Sequence, residues 1–328
     1  MIYIKNEDNR PQFNLALEQY VFDSLKQFDE IFLLWINEPS IIVGKHQNTI
    51  EEINLDYIKD NDINVVRRLS GGGAVYHDYG NLNYTIISKS KDTSAFNFEA
   101  FTQPVIEVLA ELGIEAKFMG RNDITIDGRK FCGNAQYMRR QRVLHHGAML
   151  FDTDLDVLEQ ALKVSKDKIV SKGIKSVRSR VTNIKDHLKD DIDVEDFKQL
   201  LLNHMFKGDR GIQEYKLTED DYAKIEKLME ERYNTWEWNF GGSPGFNIEK
   251  SNRYPSGKVE TQIDVKDGII QNIKFYGDFF GSGELSDLEE KFKGIKYREM
   301  EINEVLDSVD IGYYFSGIDK DDLIACII

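Results

Sequence analysis

Arg67-Arg68-Leu69-Ser70-Gly71-Gly72-Gly73-Ala74-Val75-Tyr76-His77-Asp78 connects two β-type runs, Ile63 to Arg67 and Ala74 to His77. Three adjacent glycines let successive backbone N–H groups point into one concavity, where an anion can sit without obstruction by a Cβ. Arg67 or Arg68 would add countercharge. No Gly-Lys-Ser/Thr follows the glycines, so this is not a P-loop, and the next element is a strand rather than a helix, so it is not a dinucleotide fingerprint either. Taken alone, the triplet also fits a simple surface turn. Its flanks decide between the two readings.

Working outward, short β-type runs recur at Ile31 to Ile36, Ile41 to Gly44 and Leu82 to Ser88, each bounded by turn residues, a density that predicts a mixed sheet. Phe13, Leu17, Val21, Leu25 and Phe28 recur at three- and four-residue spacing, which predicts an amphipathic helix over 14–27 capped by Asn14. A second helix, with Pro104 near its start, is expected to stop at Gly113. Asp127-Gly128 between Asp123–Ile126 and Lys130–Cys132 is a two-residue hairpin signal, and Val143 to Phe151 reads as the next strand. From Asp154 to about Arg232 the pattern is mainly helical, with a basic interruption at Lys172 to Lys185. Gly241-Gly242-Ser243-Pro244-Gly245 marks a boundary. The expected organisation is therefore a large domain over 1–245 and a small one over 246–328. The small one should hold strands at Gly257 to Val265 and Ile269 to Tyr276 and helices near 285–293, 300–307 and 320–327. Segregated strands and helices make the fold class α+β rather than a doubly wound α/β fold.

Composition narrows the function classes. The 328 residues carry a net charge of -15, which disfavours general nucleic-acid binding and requires any anionic ligand to be held by a local site. Apolar runs are strand-length, well short of the roughly 20 residues a membrane span needs. Met1-Ile2-Tyr3-Ile4-Lys5-Asn6-Glu7 reads as a first strand rather than a signal peptide, and two cysteines are a poor count for a secreted scaffold, so a cytoplasmic location with reduced thiols is expected. No spacing of structural zinc type joins Cys132 or Cys326 to a histidine.

Three further segments supply polar groups on strands predicted to be neighbours: Arg121-Asn122-Asp123, Gly128-Arg129-Lys130-Phe131-Cys132-Gly133-Asn134-Ala135-Gln136 and His145-His146-Gly147. A lysine there can act as a fixed positive charge on a phosphoryl or acyl oxygen. His145 and His146 alternate sides of a strand, so only one can face the site. Arg139-Arg140-Gln141-Arg142 reads as a solvated hairpin tip. The basic segment from Lys172 to Ile184 fits a solvated loop or one that closes over a nucleotide, with Arg178 and Arg180 pairing to phosphates.

In combination with Asn14-Leu15-Ala16-Leu17-Glu18 and Asn81-Leu82-Asn83-Tyr84, these segments occur in an order that resembles the lipoate-protein ligase family, part of the larger group that includes biotin-protein ligases and lipoyl or octanoyl transferases. The resemblance implies a mixed-sheet catalytic domain of biotin/lipoate ligase type flanked by helices, followed by a small α+β accessory domain. It also implies that lipoate and ATP, with Mg2+, form lipoyl-AMP and that the lipoyl group then passes to a lysine of a lipoyl domain. Acceptors of this kind are the E2 subunits of 2-oxoacid dehydrogenases and the glycine cleavage H protein. Carried onto this chain, the lipoate and ATP cavity would be lined by Ser70, Gly71, Gly72, Gly73, Ala74, Val75 and Tyr76. Arg68 and Lys130 would contact phosphoryl or carboxyl oxygens, and Arg178 and Arg180 the phosphates. Asn83 and Asp123 would hold polar parts of the nucleotide or metal, and His146 would form part of the wall. Lys130 is the expected catalytic side chain. Two alternatives stand beside this reading: an ATP-independent transferase carrying the acyl group on Cys132, and a non-catalytic acyl-binding module.

Overall fold

The structure is a computed structural model that describes residues 1–89, 97–163, 178–207, 211–241, 247–266 and 268–328. Thirteen strands among these residues form three sheets. The largest has seven strands in the order β1-β2-β6-β10-β9-β8-β7. They are β1 (Ile2–Lys5), β2 (Glu30–Trp35), β6 (Asn81–Lys89), β7 (Ala116–Met119), β8 (Asp123–Ile126), β9 (Arg129–Arg139) and β10 (Arg142–Leu150). Only β1 and β2 run parallel, so the sheet is mixed, as the strand density predicts. A small sheet of β3 (Ser40–Val43), β4 (Asn64–Arg67) and β5 (Val75–His77), ordered β4-β3-β5, carries the glycine loop between β4 and β5.

Period-two alternation gives the large sheet two apolar faces. On one, Phe32, Leu34, Tyr84, Ile86 and Met149 pack under the helices Glu99–Glu111 and Val194–Met205. On the other, Leu33, Trp35, Ile87, Tyr137 and Leu144 meet α1 (Pro11–Ser24), the helix Glu219–Leu228 and, through Ile42 and Val66, the small sheet. The space between the two sheets on that second face is where the expected site residues gather.

The local readings need four corrections. The first helix begins at Pro11, whose fixed φ suits a first helical position, and Asn14 is no cap but a buried side chain donating to the Asp8 carbonyl and to Asn37. The second helix starts at Glu99, so Pro104 lies inside it and removes a single intrahelical bond. Arg142 is buried and donates to the Phe22 carbonyl, so the tip of the β9–β10 hairpin is Arg140 and Gln141, both at positive φ. A strand over Ile248–Tyr254, β11, had no alternating signal, since five of its seven residues are polar or charged. It pairs with β12 (Gly257–Lys266), which in turn pairs with β13 (Ile269–Gly277). Helices Leu285–Phe292, Glu299–Asp307 and Lys320–Ile327 close the small C-terminal core around Ile263, Phe275 and Phe315. The 245/246 boundary falls outside the described residues. No described helix is long and apolar enough to cross a membrane.

Candidate active site

The glycine loop is held from within. Arg68 is buried, and its guanidinium donates to the Ile42 carbonyl at 3.0 Å, Gly71 at 2.7 Å, Gly73 at 2.9 Å and Ser70 Oγ at 3.0 Å. Burial lowers its pKa to about 10, which leaves it charged at neutral pH. Its charge thus lies beneath the loop, with its donors engaged by loop carbonyls. Arg67 is further from the expected role of countercharge: it donates to the carbonyls of Gly44, Gln47 and Trp238 and to Thr49, tying the small sheet to the helix Trp236–Asn239. Gly72 has φ +92, which L side chains rarely adopt, and a Cβ on Gly71 would lie 2.3 Å from the Phe279 carbonyl oxygen.

Ser70 joins this loop to the large sheet. Its hydroxyl lies 2.6 Å from His146 Nε2, and His146 Nδ1 lies 3.0 Å from Glu18 Oε1. Glu18 also accepts from the Thr85 hydroxyl, which in turn accepts from the Trp35 indole at 2.9 Å. Glu18 is a carboxylate on the buried face of α1 and only 3 % exposed. Beyond its place in the Asn14–Glu18 segment, its sequence signal is a charge within a mainly apolar helix. Strand alternation sends His146 to this face and His145 to the other, where it meets Gln136, Tyr84 and Asn134.

Alternation also sorts the expected lining residues of β5. Val75 packs toward the large sheet, whereas Ala74 and Tyr76 turn into a separate core with Ile41, Ile53 and Leu158. His77 was not expected at the site, yet it lies on the Val75 side. Its Nδ1 sits 3.1 Å from the Asn37 amide, and its Nε2 is buried with no hydrogen-bond partner among the described residues. Burial and the nearby Arg68 guanidinium hold its pKa down to about 3, so the ring is neutral. Asn83 Nδ2 is likewise buried and unpartnered among those residues. Two orphan donors against the same face are what a weak acceptor on a ligand, such as a sulfur, would meet.

At the other end of the face, Lys130 Nζ lies 2.8 Å from Asp123 Oδ1, with both side chains about one-third exposed. Thr182 N donates to the Lys130 carbonyl at 3.0 Å, and Val181 forms a bridge with Lys130, so the end of the basic segment docks on this strand. Arg178 is ion-paired with Asp156, and Arg180 follows it in the same short helix. Residues 172–177 lie outside the described set. The Cys132 thiol is fully buried in the apolar core on the opposite face, and burial pushes its pKa up despite Lys130.

The C-terminal unit supplies a wall that sequence reasoning missed. Phe280 packs against Phe98, Phe118 and Ala135, and the Arg121 guanidinium lies 4.5 Å from its ring centre. Arg121 also donates to the Asp278 carbonyl at 3.0 Å and to the Ser256 carbonyl.

Residues 10–206 match the lipoyl protein ligase A/B catalytic domain, and residues 243–327 match the bacterial lipoate protein ligase C-terminus. The chain is 49 % identical over 330 residues to lipoate-protein ligase LplJ of Bacillus subtilis, covering all of both chains. It is similar to the lipoate-complexed structure of LipL1 from P. falciparum, at a TM-score of 0.81 and 26 % identity over 94 % of each chain. It also resembles an ATP-bound lipoate-protein ligase A, at a TM-score of 0.62 and 29 % identity over 73 % of this chain and 98 % of that one. On these matches, a catalytic domain followed by its C-terminal unit and near-half identity over the full length, the chain belongs to the lipoate-protein ligase family of enzymes.

Proposed function

We propose that this protein activates free lipoate with ATP and transfers the lipoyl group to a lysine of an acceptor lipoyl domain, with Lys130 as the catalytic side chain. A lipoate carboxylate oxygen attacks the α-phosphorus of ATP and pyrophosphate leaves. The acceptor amine then attacks the lipoyl carbonyl of the mixed anhydride, AMP leaves, and the amine gives up a proton to solvent. Neither step needs a protein nucleophile. The chain's task is to bring two anions together and offset the charge that builds between them. The arrangement that carries this reading is a single sheet face. At its closed end stand the Ser70–His146–Glu18 chain and two buried donors without a partner among the described residues, and at its open end stands a lysine on a hairpin strand.

The closed, partly apolar end suits the lipoyl tail, and the open end suits phosphates and an arriving acceptor. No group of three or more His, Cys, Asp or Glu side chains among the described residues could hold a metal ion, and the one carboxylate at the open end, Asp123, is paired with Lys130. The described residues therefore offer Mg2+ no all-protein cage, and the ion would be carried by the ATP phosphates, with Asp123 as the carboxylate that could join it. The acceptor class we favour is the lipoyl domain of 2-oxoacid dehydrogenase E2 subunits and the glycine cleavage H protein, met in the cytoplasm. The rival with an acyl-cysteine intermediate requires a thiolate at Cys132, which is buried on the wrong face with a raised pKa.

The test is pyrophosphate release at saturating ATP and lipoate. Lys130→Ala should lower the rate by about two orders of magnitude or more, the usual scale for one preorganised donor, with melting unchanged. Lys130→Arg should fail too, because a planar fork cannot take the place of a compact ammonium. A folded Lys130→Ala protein that makes lipoyl-AMP at the wild-type rate would overturn the assignment.

A further inference from the structure

The pairing of β8 with β9 contains an irregularity. Asp123 faces Gly133 and Ile124 faces Cys132, but Thr125 faces Lys130, so Phe131 is an extra residue with no partner across the ladder. In an unbroken strand, residues three apart point to opposite faces. Here Phe131 and Cys132 both enter the same apolar core, which returns Lys130 to the face that Gly133 and Asp123 share. Lys130 then has to run past position 133 to reach Asp123. A Cβ built on Gly133 would lie 2.7 Å from Lys130 Nζ and 2.9 Å from Lys130 Cε, and among the described residues beyond its chain neighbours it would approach nothing else within 4 Å.

We propose that Gly133 is a positioning residue for Lys130: its missing side chain is the slot in which the ammonium lies, and the Phe131 bulge aims the lysine into that slot. The inference rests on the assignment of Lys130 as the catalytic side chain. The backbone of Lys130 cannot yield, because it is bridged to Val181 and its carbonyl accepts from Thr182 on one side while Thr125 pairs with it on the other. A methyl group at 133 would therefore be accommodated by the flexible end of the lysine. The ammonium would leave the place from which it meets Asp123 and the reacting oxygens. Since only a mobile, one-third-exposed side-chain tip is displaced, folding should be spared while catalysis is not.

The experiment compares Gly133→Ala, Lys130→Ala and the double variant in pyrophosphate release at saturating ATP and lipoate, with the KM for lipoate and the Tm of each. Gly133→Ala should lower the rate by about 10²-fold, the scale of an ångström-sized misplacement, with lipoate KM and Tm unchanged. In the Lys130→Ala background the same substitution should change the rate by no more than about twofold, because the group it displaces is gone. Wild-type activity in Gly133→Ala beside an inactive Lys130→Ala overturns the slot and leaves the lysine assignment standing. A Gly133→Ala loss undiminished in the Lys130→Ala background, or a large fall in Tm, assigns Gly133 to the fold and overturns the proposal as well. If Lys130→Ala is itself fully active, the underlying assignment is what has failed.

Discussion

The two ends of the site face are built on opposite principles. At the closed end, Arg68, Ser70, His146, Glu18 and Thr85 form a continuous hydrogen-bonded chain in which every member is less than a tenth exposed. At the open end a single ion pair, Lys130 with Asp123, stands about one-third exposed beside the solvent. A buried network of this kind fixes shape, since stranding any member leaves a polar group without water. An exposed pair contributes little to stability and is free to exchange one partner for another. A ligase of this family must hold a tail and release a head, and the division follows that need. Substitutions at the closed end should therefore appear mainly in folding, and those at the open end mainly in turnover.

The largest effect on folding should come from Glu18→Ala. It removes the acceptor for Thr85 Oγ1 and the partner of His146 Nδ1, both buried. At about 1–3 kcal/mol for each stranded group, a loss near 4 kcal/mol is expected from chemical denaturation. Lys130→Ala measured beside it should leave stability within about 1 kcal/mol, as an exposed pair does. Equal losses in the two variants would break the contrast between the ends.

The next effect is a dependence on pH. The folded state holds the His77 pKa down to about 3, against an ordinary value near 6.5, and His46 and His145 are also shifted down by burial. For a base with a depressed folded pKa, the unfolded chain binds more protons once the pH falls below the unfolded value. Stability is therefore highest above about pH 6.5 and declines toward pH 3, at up to about 1.4 kcal/mol per pH unit for each histidine. His77→Asn should flatten the slope of unfolding free energy between pH 6.5 and 4.5. An unchanged slope would place the proton uptake elsewhere.

These contrasts also show how far the residues alone could be read. A mixed sheet was legible from apolar runs such as Ile31 to Ile36 and Leu82 to Ser88 between turn residues, but Ala116–Met119 was not foreseen as a strand and the runs at 41–44, 63–67 and 74–77 form a separate small sheet; the Asp127-Gly128 hairpin was marked by two residues that tolerate positive φ, observed here at 51° and 75°. Alternation correctly split His145 from His146. It was not applied to Ala74 and Tyr76, which face the other core, or to His77, which faces the site. The Phe131 bulge left no local signature, because an extra residue in a ladder shows only against its partner strand. The wall built by Phe280 and the engagement of Arg121 depend on how a second unit packs, and periodicity within either segment does not encode that.

The smallest effect should come from Cys132→Ala, and it sharpens the contrast on a single strand. Lys130 and Cys132 are two residues apart, a spacing that in a regular strand would put them on one face; the bulge sends the lysine to the site and the thiol into the core with Ile124 and Phe131. On balance that location disfavours a thiolate, since burial raises the thiol pKa more strongly than Lys130 lowers it. An adenylate already makes the lipoyl carbonyl electrophilic, so a thioester would add a step without adding activation. Alanine is the cleaner replacement, because it removes both the thiol and its weak contact with Asn134 Oδ1, whereas serine would keep a hydroxyl there. Removing one sulfur from the core should lower stability by about 1 kcal/mol and leave both pyrophosphate release and acyl transfer near wild type. Intact adenylation with lost transfer in Cys132→Ala, or an acyl adduct trapped on Cys132 of the unmodified enzyme and seen by mass spectrometry, would show that the buried face of β9 opens during the reaction. The distinction between its two faces would then not survive turnover.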